Sequence, residues 1–204
     1  MSLPGEERCV AHVPQAFADL VAAEAPSSVA LSGGSTARSC YELLATAPVE
    51  WFDVEVFFGD ERWVDVQDPS SNEGMARLAF LDEVEPRAIH SMRRAPARRT
   101  PPIGLVHLGL GPDGHTASLF PGAPQLDEQE RLVVPSGDDQ HPMPRLTFTY
   151  PALARAGLVV FTVGGASKRD ALAGVRRGDP QLPASRVRAE RVVWLVDEAA
   201  AGDP

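Results

Sequence analysis

The stretch LVHLGLGPDGHTASLFPG, residues 105–122, decides the fold. Its apolar start is typical of a buried strand, and a glycine-rich loop carrying His115 follows directly. The first glycines match G-x-G-x-x-G after a strand, which is the pattern of a dinucleotide-binding loop. Such a loop leads into a crossover helix of about ten or more residues, but Pro121 and Gly122 limit a helix here to about two turns. We therefore expect the glycines to serve a different chemistry, centred on His115.

Strand-like and helix-like segments alternate along the whole chain. Short apolar runs predict strands at 29–32, 54–58, 104–110, 131–135, 145–149, 158–163 and 191–196. Helices are predicted at 14–25, 36–45, 72–84 (with Ser71 or Asn72 as N-cap), 152–156 and 167–176, and a polar loop at 59–71. Several strands are apolar at every position, as strands buried on both faces are. The sequence therefore predicts one α/β domain over residues 1–204, with a doubly wound, mostly parallel, Rossmann-like sheet flanked by helices.

Four polar loops follow predicted strands: SGGST (32–36), GDERW (59–63), GPDGHT (111–116) and GGASK (164–168). In an open α/β sheet, ligands bind beyond the carboxyl ends of the strands. We therefore expect the four loops to converge on one rim of the sheet and to form the site there.

Two of these loops indicate a phosphate site. Gly33 and Gly34 allow the backbone to turn closely around a ligand, and Ser35 and Thr36 open a helix, whose N-terminus favours an anion. Lys168 in GGASK adds a positive charge on the first turn of the helix that follows it. A plain N-cap with a flexible turn is the alternative interpretation of SGGST.

The other two loops carry candidate reacting groups. In GDERW, Arg62 is suited to bidentate binding of a phosphate or carboxylate, and Asp60 or Glu61 to orienting a partner or acting as a base, although a solvated turn is the alternative. In GPDGHT, His115 is the best general base available, because imidazoles as a class ionise near neutrality, and Asp113 lies two residues before it.

The composition excludes several classes of partner. Hydrophobic residues make up 44% and charged residues 23%, as in ordinary soluble globular proteins. The net charge of -9 argues against binding to nucleic-acid phosphates, which is driven by clustered Lys and Arg. No run approaches the ~20 apolar residues that span a bilayer, and the N-terminus lacks the apolar segment of a signal peptide. We therefore expect a cytoplasmic protein that acts on a small molecule, without a nucleic-acid or membrane partner.

Residue spacing disfavours two further kinds of site. HExxH and other metal-ligand spacings do not occur, so we expect no metal. GxSxG does not occur either, and Ser118 follows His115 by only about one helical turn, which argues against a serine hydrolase. His107 is expected to be a satisfied strand residue, and His141, like the two remaining histidines, belongs to no cluster.

The motifs resemble those of the 6-phosphogluconolactonase family over nearly the whole chain. In order they are LSGGST (31–36), FFGDERWV (57–64), DPSSN (68–72), LGLGPDGHTASLFPG (108–122), PRLTFT (144–149), YPALARA (150–156), VGGASKRDAL (163–172), LPAS (182–185) and WLVDEAA (194–200). SGGS alone is a weak signal, whereas GPDGHTASLFPG together with DER is highly specific.

The resemblance implies a fold related to glucosamine-6-phosphate deaminases and ribose-5-phosphate isomerases. It implies an enzyme of the oxidative pentose phosphate pathway that hydrolyses 6-phospho-D-glucono-1,5-lactone to 6-phospho-D-gluconate without metal or cofactor. His115 of GHTAS is the implied general base, and Asp113 or Glu61 is expected to assist it. The implied phosphate ligands are the SGGST turn, Arg62 and Lys168, with Arg145 of PRLT as a further contact.

The complete expected substrate site consists of Gly33, Gly34, Ser35, Thr36, Asp60, Arg62, Gly114, Arg145 and Lys168. Backbone N–H groups of the glycine turn, or a nearby cation, are expected to stabilise the oxyanion that forms when water attacks the lactone carbonyl.

Two other functions stay open. Amino-sugar-phosphate deaminases or isomerases share the SGG turn, the DE pair, the GDGH loop and the lysine. They continue as GHIAFNEP after the histidine and have Tyr after DE, where this chain has GHTASLFPG and Arg62. The second is a catalytically weakened sugar-phosphate-binding protein that keeps the scaffold.

The chain departs from the family pattern in a short first helix and in the segment 92–102, whose run RRAPARR (93–99) we expect to be a solvated loop. Ile103 and Gly104 replace the acidic residue that usually opens the next strand. These changes bear on stability and subunit contacts more than on the reaction, and we expect a monomer or a weak homo-oligomer.

Overall fold

The computed structural model describes residues 3–93, 101–137 and 141–202. Its strands are β1 Glu6–Cys9, β2 Ser28–Leu31, β3 Glu55–Phe58, β4 Asp60–Arg62, β5 Ala88–Ile89, β6 Leu105–Gly109, β7 Val133–Ser136, β8 Arg145–Phe148, β9 Leu158–Val163 and β10 Arg191–Val196. Most of the run 93–99 lies outside the described residues.

The main sheet has seven parallel strands in the order β1-β10-β9-β6-β2-β3-β5. From β2 the chain builds outward through β3 and β5, and then crosses to the other side of β2 to add β6, β9 and β10. The direction of winding therefore reverses between β2 and β6, which is where open α/β sheets bind ligands. The predicted doubly wound, mostly parallel sheet is confirmed.

A second, antiparallel sheet has the order β4-β8-β7. The predicted polar loop at 59–71 is therefore wrong over Asp60–Arg62, which pair with β8 as a short strand. This strand is only three residues long and all three are charged, so no apolar run marks it in the sequence. In this register Arg62 lies directly opposite Arg145, and Gly59 joins β3 to β4 while its carbonyl accepts a hydrogen bond from Phe148 N at 2.7 Å.

The α-helices are α1 Val13–Glu24, α2 Ser35–Leu44, α3 Asn72–Ala76, α4 Asp82–Val84, α5 Tyr150–Leu153, α6 Arg169–Arg176 and α7 Glu198–Ala201. A π-helical turn, Arg77–Leu81, joins α3 to α4, so the predicted helix at 72–84 is helical throughout but wider in its middle. Ser71 is its N-cap and accepts a hydrogen bond from Gly74 N at 3.0 Å. Within the described ranges, none of the helices combines the length and apolar character that crossing a membrane requires.

The core is built around the central strands. All six residues of β9 are buried, as the unbroken apolar run predicts, and the rings of Phe161 and Trp194 stack with centroids 3.7 Å apart. His107 in β6 is fully buried with both ring nitrogens hydrogen-bonded, so the prediction of a satisfied strand histidine is confirmed.

Candidate active site

The loops after β9, β6, β2 and β3 line one cavity of about 230 Å³. These four strands are neighbours in the sheet, so their carboxyl ends bring the predicted loops together. The cavity wall includes nine of the predicted residues: Gly33, Gly34, Ser35, Thr36, Asp60, Arg62, His115, Arg145 and Lys168. Three predicted residues lie outside the wall: Glu61, Asp113 and Gly114.

The N-terminus of α2 forms one side of the cavity. Gly34 is its N-cap, with φ +99°, a conformation that favours glycine. A Cβ on Gly33 would lie 1.9 Å from Asn72 Oδ1, so the close packing of this turn also requires glycine. The first backbone bond of the helix runs from Arg38 N to Gly34 O, which leaves the preceding amides without a partner further back in the helix. The turn therefore presents N–H groups and a positive dipole end to an anion.

Lys168 faces the same cavity from the loop after β9. It ends a 3₁₀ turn, Ala166–Lys168, and directly precedes α6, so it lies before the first α-helical turn and not on it. Within the described part of the chain it forms no ion pair. Burial lowers the pKa of its ammonium group, and the negative charge of Asp113 partly opposes that shift. An anion in the cavity would supply the missing counter-charge.

Arg62 is held at the cavity by its own fixed partners. Its Nη1 donates to Ser70 O at 2.9 Å and to Asn72 Oδ1 at 2.7 Å, while its buried Nε has no hydrogen-bond partner among the described residues. The Asn72 amide in turn donates to Asp60 O at 2.9 Å and to Asp60 Oδ1 at 3.2 Å. From the sequence, Asn72 is predicted as a candidate N-cap and as the end of the DPSSN motif. Its contact with Arg62 in the cavity wall follows from no local sequence pattern.

Asp60 is buried with both carboxylate oxygens occupied. Besides the contact with Asn72, its Oδ2 accepts from Ser118 Oγ at 2.6 Å. Ser118 N in turn donates to Thr147 Oγ1 at 3.1 Å. Asp60 and Ser118 therefore hold the loop after β6 against the small sheet, and Ser118 serves as a donor to a carboxylate.

Glu61 points away from the cavity and holds the start of α3. Its Oε1 accepts from the amides of Arg62 and Asn72 at 2.8 and 2.7 Å, and its Oε2 from Glu73 N at 2.8 Å and Ser71 Oγ at 3.0 Å. Burial raises the pKa of the Glu61 carboxyl, although these hydrogen bonds oppose the shift. The structure does not bring this predicted catalytic acid to His115.

His115 and Asp113 form a close pair. His115 Nδ1 lies 2.6 Å from Asp113 Oδ1, which also accepts from the backbone N of His115 at 3.1 Å. Burial raises the pKa of the Asp113 carboxyl, but the hydrogen bonds and charge of His115 outweigh it and lower that pKa overall. His115 Nε2 has no protein partner in the described ranges. Because His115 lines the cavity, this second ring nitrogen is the one that can take a proton from a bound molecule.

Glycines shape the loop that carries this pair. A Cβ on Gly111 would lie 2.2 Å from His115 Nδ1 and 2.6 Å from Asp113 Oδ1, so only glycine leaves room for the pair. Gly114 has φ +83° and packs against Leu182. The amides of Gly111 and Gly114 donate within the loop, to His115 O at 2.8 Å and to Gly111 O at 3.0 Å. These two N–H groups are therefore already used, which leaves the cavity cations as candidate stabilisers of an oxyanion.

Two rings near His115, those of His141 and Phe120, were missed from the sequence. The His141 ring lies 5.8 Å from the His115 ring, edge to face, and stacks on Phe120 at 4.0 Å, so the expectation that His141 belongs to no cluster is wrong. The guanidinium of Arg145 lies over the Phe120 ring, with its Cζ 5.5 Å from the ring centroid. Ser32 Oγ is buried in the cavity wall without a partner among the described residues.

The arrangement separates two tasks within one cavity. Arg62, Arg145, Lys168 and the N-terminus of α2 provide the positive charge that would hold an anion, and His115 provides a base. No group of three or more potential metal-ligating side chains occurs within the ranges that the structure describes. Fold and cavity together define an α/β protein that is suited to binding an anionic small molecule beside a histidine.

Comparison with known proteins agrees with this class. The family model described as glucosamine-6-phosphate isomerases/6-phosphogluconolactonase matches residues 6–194, and the chain belongs to this family. A 6-phosphogluconolactonase from Synechocystis sp. is 40% identical over 221 aligned positions, covering 95% of this chain and 91% of that protein.

Solved structures show the same fold. The crystal structure of 6-phosphogluconolactonase from Thermotoga maritima superposes with a TM-score of 0.83 at 25% identity, covering 95% of this chain and 99% of the other. A monomeric glucosamine-6-phosphate deaminase of the NagB superfamily superposes with a TM-score of 0.78 at 17% identity, covering 98% and 99% of the two chains. At that identity the second likeness shows a common fold and nothing further.

Proposed function

We propose that this chain, acting as one domain over residues 1–204, hydrolyses 6-phospho-D-glucono-1,5-lactone to 6-phospho-D-gluconate. The observation that carries the proposal is that His115, held by Asp113, lines the same cavity as Arg62, Arg145, Lys168 and the N-terminus of α2. The family supports it, as does the 40% identical relative named 6-phosphogluconolactonase. A cytoplasmic location, as expected from the sequence, is part of the proposal.

In the proposed complex the phosphate of the substrate lies at the N-terminus of α2. The amides and hydroxyls of Ser35 and Thr36 donate to its oxygens, and Arg62 and Lys168 neutralise its charge. Arg62 is suited to this because Asn72 already fixes its guanidinium, so little side-chain freedom is lost on binding. Binding energy gained at the remote phosphate then holds the lactone carbonyl near His115.

His115 acts as the general base in this mechanism. Asp113 accepts from Nδ1–H and so keeps Nε2 unprotonated. Nε2 removes a proton from water while the water oxygen attacks the lactone carbonyl carbon, and the carbonyl electrons move to its oxygen. The tetrahedral oxyanion collapses, the bond between the carbonyl carbon and the ring oxygen breaks, and the imidazolium protonates the departing oxygen. The cavity cations stabilise the oxyanion. Arg145 is one of them, and it lies over the Phe120 ring, which itself contacts His115.

Asp60, Glu61 and Gly114 have positioning roles in this proposal. Both carboxylates are buried and fully hydrogen-bonded, Asp60 to Asn72 and Ser118, and Glu61 to the start of α3. They fix the strand that carries Arg62. Gly114 shapes the loop that carries His115.

One assay compares two substrates. Acid release from freshly prepared lactone is measured with the spontaneous rate subtracted, beside ammonia release from glucosamine 6-phosphate. Saturable lactone hydrolysis well above background, without ammonia release, is the expected result. Ammonia release without lactonase activity would refute the proposal in favour of a deaminase, and saturable sugar-phosphate binding without either rate would favour a binding protein.

A further inference from the structure

A chain of buried side chains joins two residues of the cavity wall, Ser32 and Thr162. At its centre, His107 Nδ1 lies 2.8 Å from the Tyr41 hydroxyl, and His107 Nε2 lies 2.8 Å from the Thr162 hydroxyl. The Tyr41 hydroxyl also accepts from Ser32 N at 2.8 Å and lies 3.1 Å from Ser32 O. Neither His107 nor Tyr41 lines the cavity, so the substrate proposed above would touch only the two ends of the chain.

A neutral His107 ring can form all of these hydrogen bonds. The Tyr41 hydroxyl has one proton, which it donates either to His107 Nδ1 or to Ser32 O. In the first case His107 Nε2–H donates to Thr162, and in the second Nδ1–H donates to Tyr41 while Nε2 accepts from Thr162. Both arrangements use both ring nitrogens, and neither needs a second ring proton.

Packing alone does not call for a histidine at this position. The ring is enclosed by Phe17, with centroids 4.1 Å apart, and by Tyr41, edge to face at 5.4 Å. An apolar ring would fill the same space without a polar group to desolvate. What the histidine adds is a directional connection between α2 and β9 across β6.

The two ends of this connection lie next to the two glycine turns of the cavity. Ser32 directly precedes Gly33, and its N–H and C=O both lie within hydrogen-bond distance of the Tyr41 hydroxyl. Thr162 precedes Gly164 by two residues and lies in the loop-proximal end of β9. The mutual position of the two turns therefore depends on the side chains between them.

We propose that His107 is a positioning residue for substrate binding, which through Tyr41 and Thr162 fixes the separation of the α2 N-terminus and the Lys168 turn. The inference rests on the proposed function in that it assigns both turns to one phosphate. A phosphate that contacts both the α2 N-terminus and Lys168 needs the two turns at the right separation. The base His115 lies in a different loop. Loss of the connection should therefore weaken binding more than it slows the chemical step.

The test is His107→Phe, which keeps an aromatic ring and removes both hydrogen bonds. We expect KM for the lactone and Kd for inorganic phosphate, measured by calorimetry, each to rise about fivefold to tenfold, with kcat within about twofold of wild type. Tyr41→Phe, which removes the central hydroxyl and does not touch the cavity, should raise both constants in the same way and serves where His107→Phe fails to fold.

Val160→Ala is the matched control. Val160 pairs with His107 in the sheet and is fully buried, so its truncation destabilises the core and leaves the hydrogen-bonded chain intact. An unchanged phosphate Kd in both His107→Phe and Tyr41→Phe would overturn the inference, as would an equal rise in Val160→Ala. A wild-type protein that binds phosphate but hydrolyses no lactone would instead refute the proposed function, and the phosphate measurements would still decide the role of His107.

Discussion

The buried histidine of β6 makes the stability of this protein sensitive to acid. Burial lowers the pKa of His107 to about 3, from an unfolded value of 6.5. Between these two pH values the unfolded chain binds a proton at this position and the folded chain does not, so unfolding is favoured as the pH falls. The contribution of His107 to stability is therefore complete above about pH 6.5 and is lost progressively as the pH approaches 3.

The size of the effect follows from the same two values. At pH 5, a proton bound only by the unfolded state lowers the free energy of unfolding by about 2 kcal/mol, and at pH 4 by about 3 kcal/mol. For a chain of this length, about 2 kcal/mol corresponds to a fall in Tm of roughly 4 to 8 °C. Comparison with a variant that lacks the histidine isolates the effect of His107.

Urea unfolding at pH 7.5 and pH 5.0 provides the assay. His107→Phe should lose about 2 kcal/mol less than wild type between the two pH values, whatever its stability at pH 7.5. Val160→Ala, which keeps the histidine, should lose as much as wild type despite being less stable. Equal losses in wild type and His107→Phe would show that burial does not hold His107 neutral in the folded protein.

Three further predictions concern the reaction. In the background-corrected lactone assay, His115→Ala should lower kcat by about 10²- to 10⁴-fold and change KM little. His90→Ala is the control: it removes an imidazole that is hydrogen-bonded to Glu55 in β3, and it should leave kcat near wild type. Lys168→Met should raise KM for the lactone by about tenfold or more with a smaller change in kcat, because it removes a charge-assisted contact with the phosphate; a kcat effect larger than the KM effect would contradict this role. Gly111→Ala should lower kcat at least tenfold by displacing His115, with far-UV circular dichroism unchanged; wild-type kcat would mean that the pair tolerates a shift.

The main sheet was accessible from the sequence because its signal is local. Apolar runs such as 158–163 mark strands buried on both faces, and alternation with helices fixes the parallel arrangement. The small sheet gave a weaker signal. Its edge strand, Asp60–Arg62, is short and polar, and only its pairing with β8, more than eighty positions along the chain, makes it a strand.

The candidate site also has a part that the sequence predicts and a part that it does not. His115, Lys168 and the glycine turn belong to loops directly after strands, so a general rule about sheet edges locates them. The partners that fix their geometry do not follow from spacing. Asn72 meets Arg62 across ten positions, Ser118 meets Asp60 across 58, and His107 meets Tyr41 across 66. Such contacts depend on how separate elements pack, which a single sequence does not encode in any local pattern.

The pairing of Arg62 with Arg145 in the small sheet has a consequence for the protein without substrate. Like charges directly opposite on neighbouring strands repel each other, and both of these side chains line the cavity. An anion that binds there relieves the repulsion as well as forming its own contacts. On the proposed function, sugar phosphate binds the folded chain and not the unfolded one, so the stability of the protein should rise with the concentration of that metabolite.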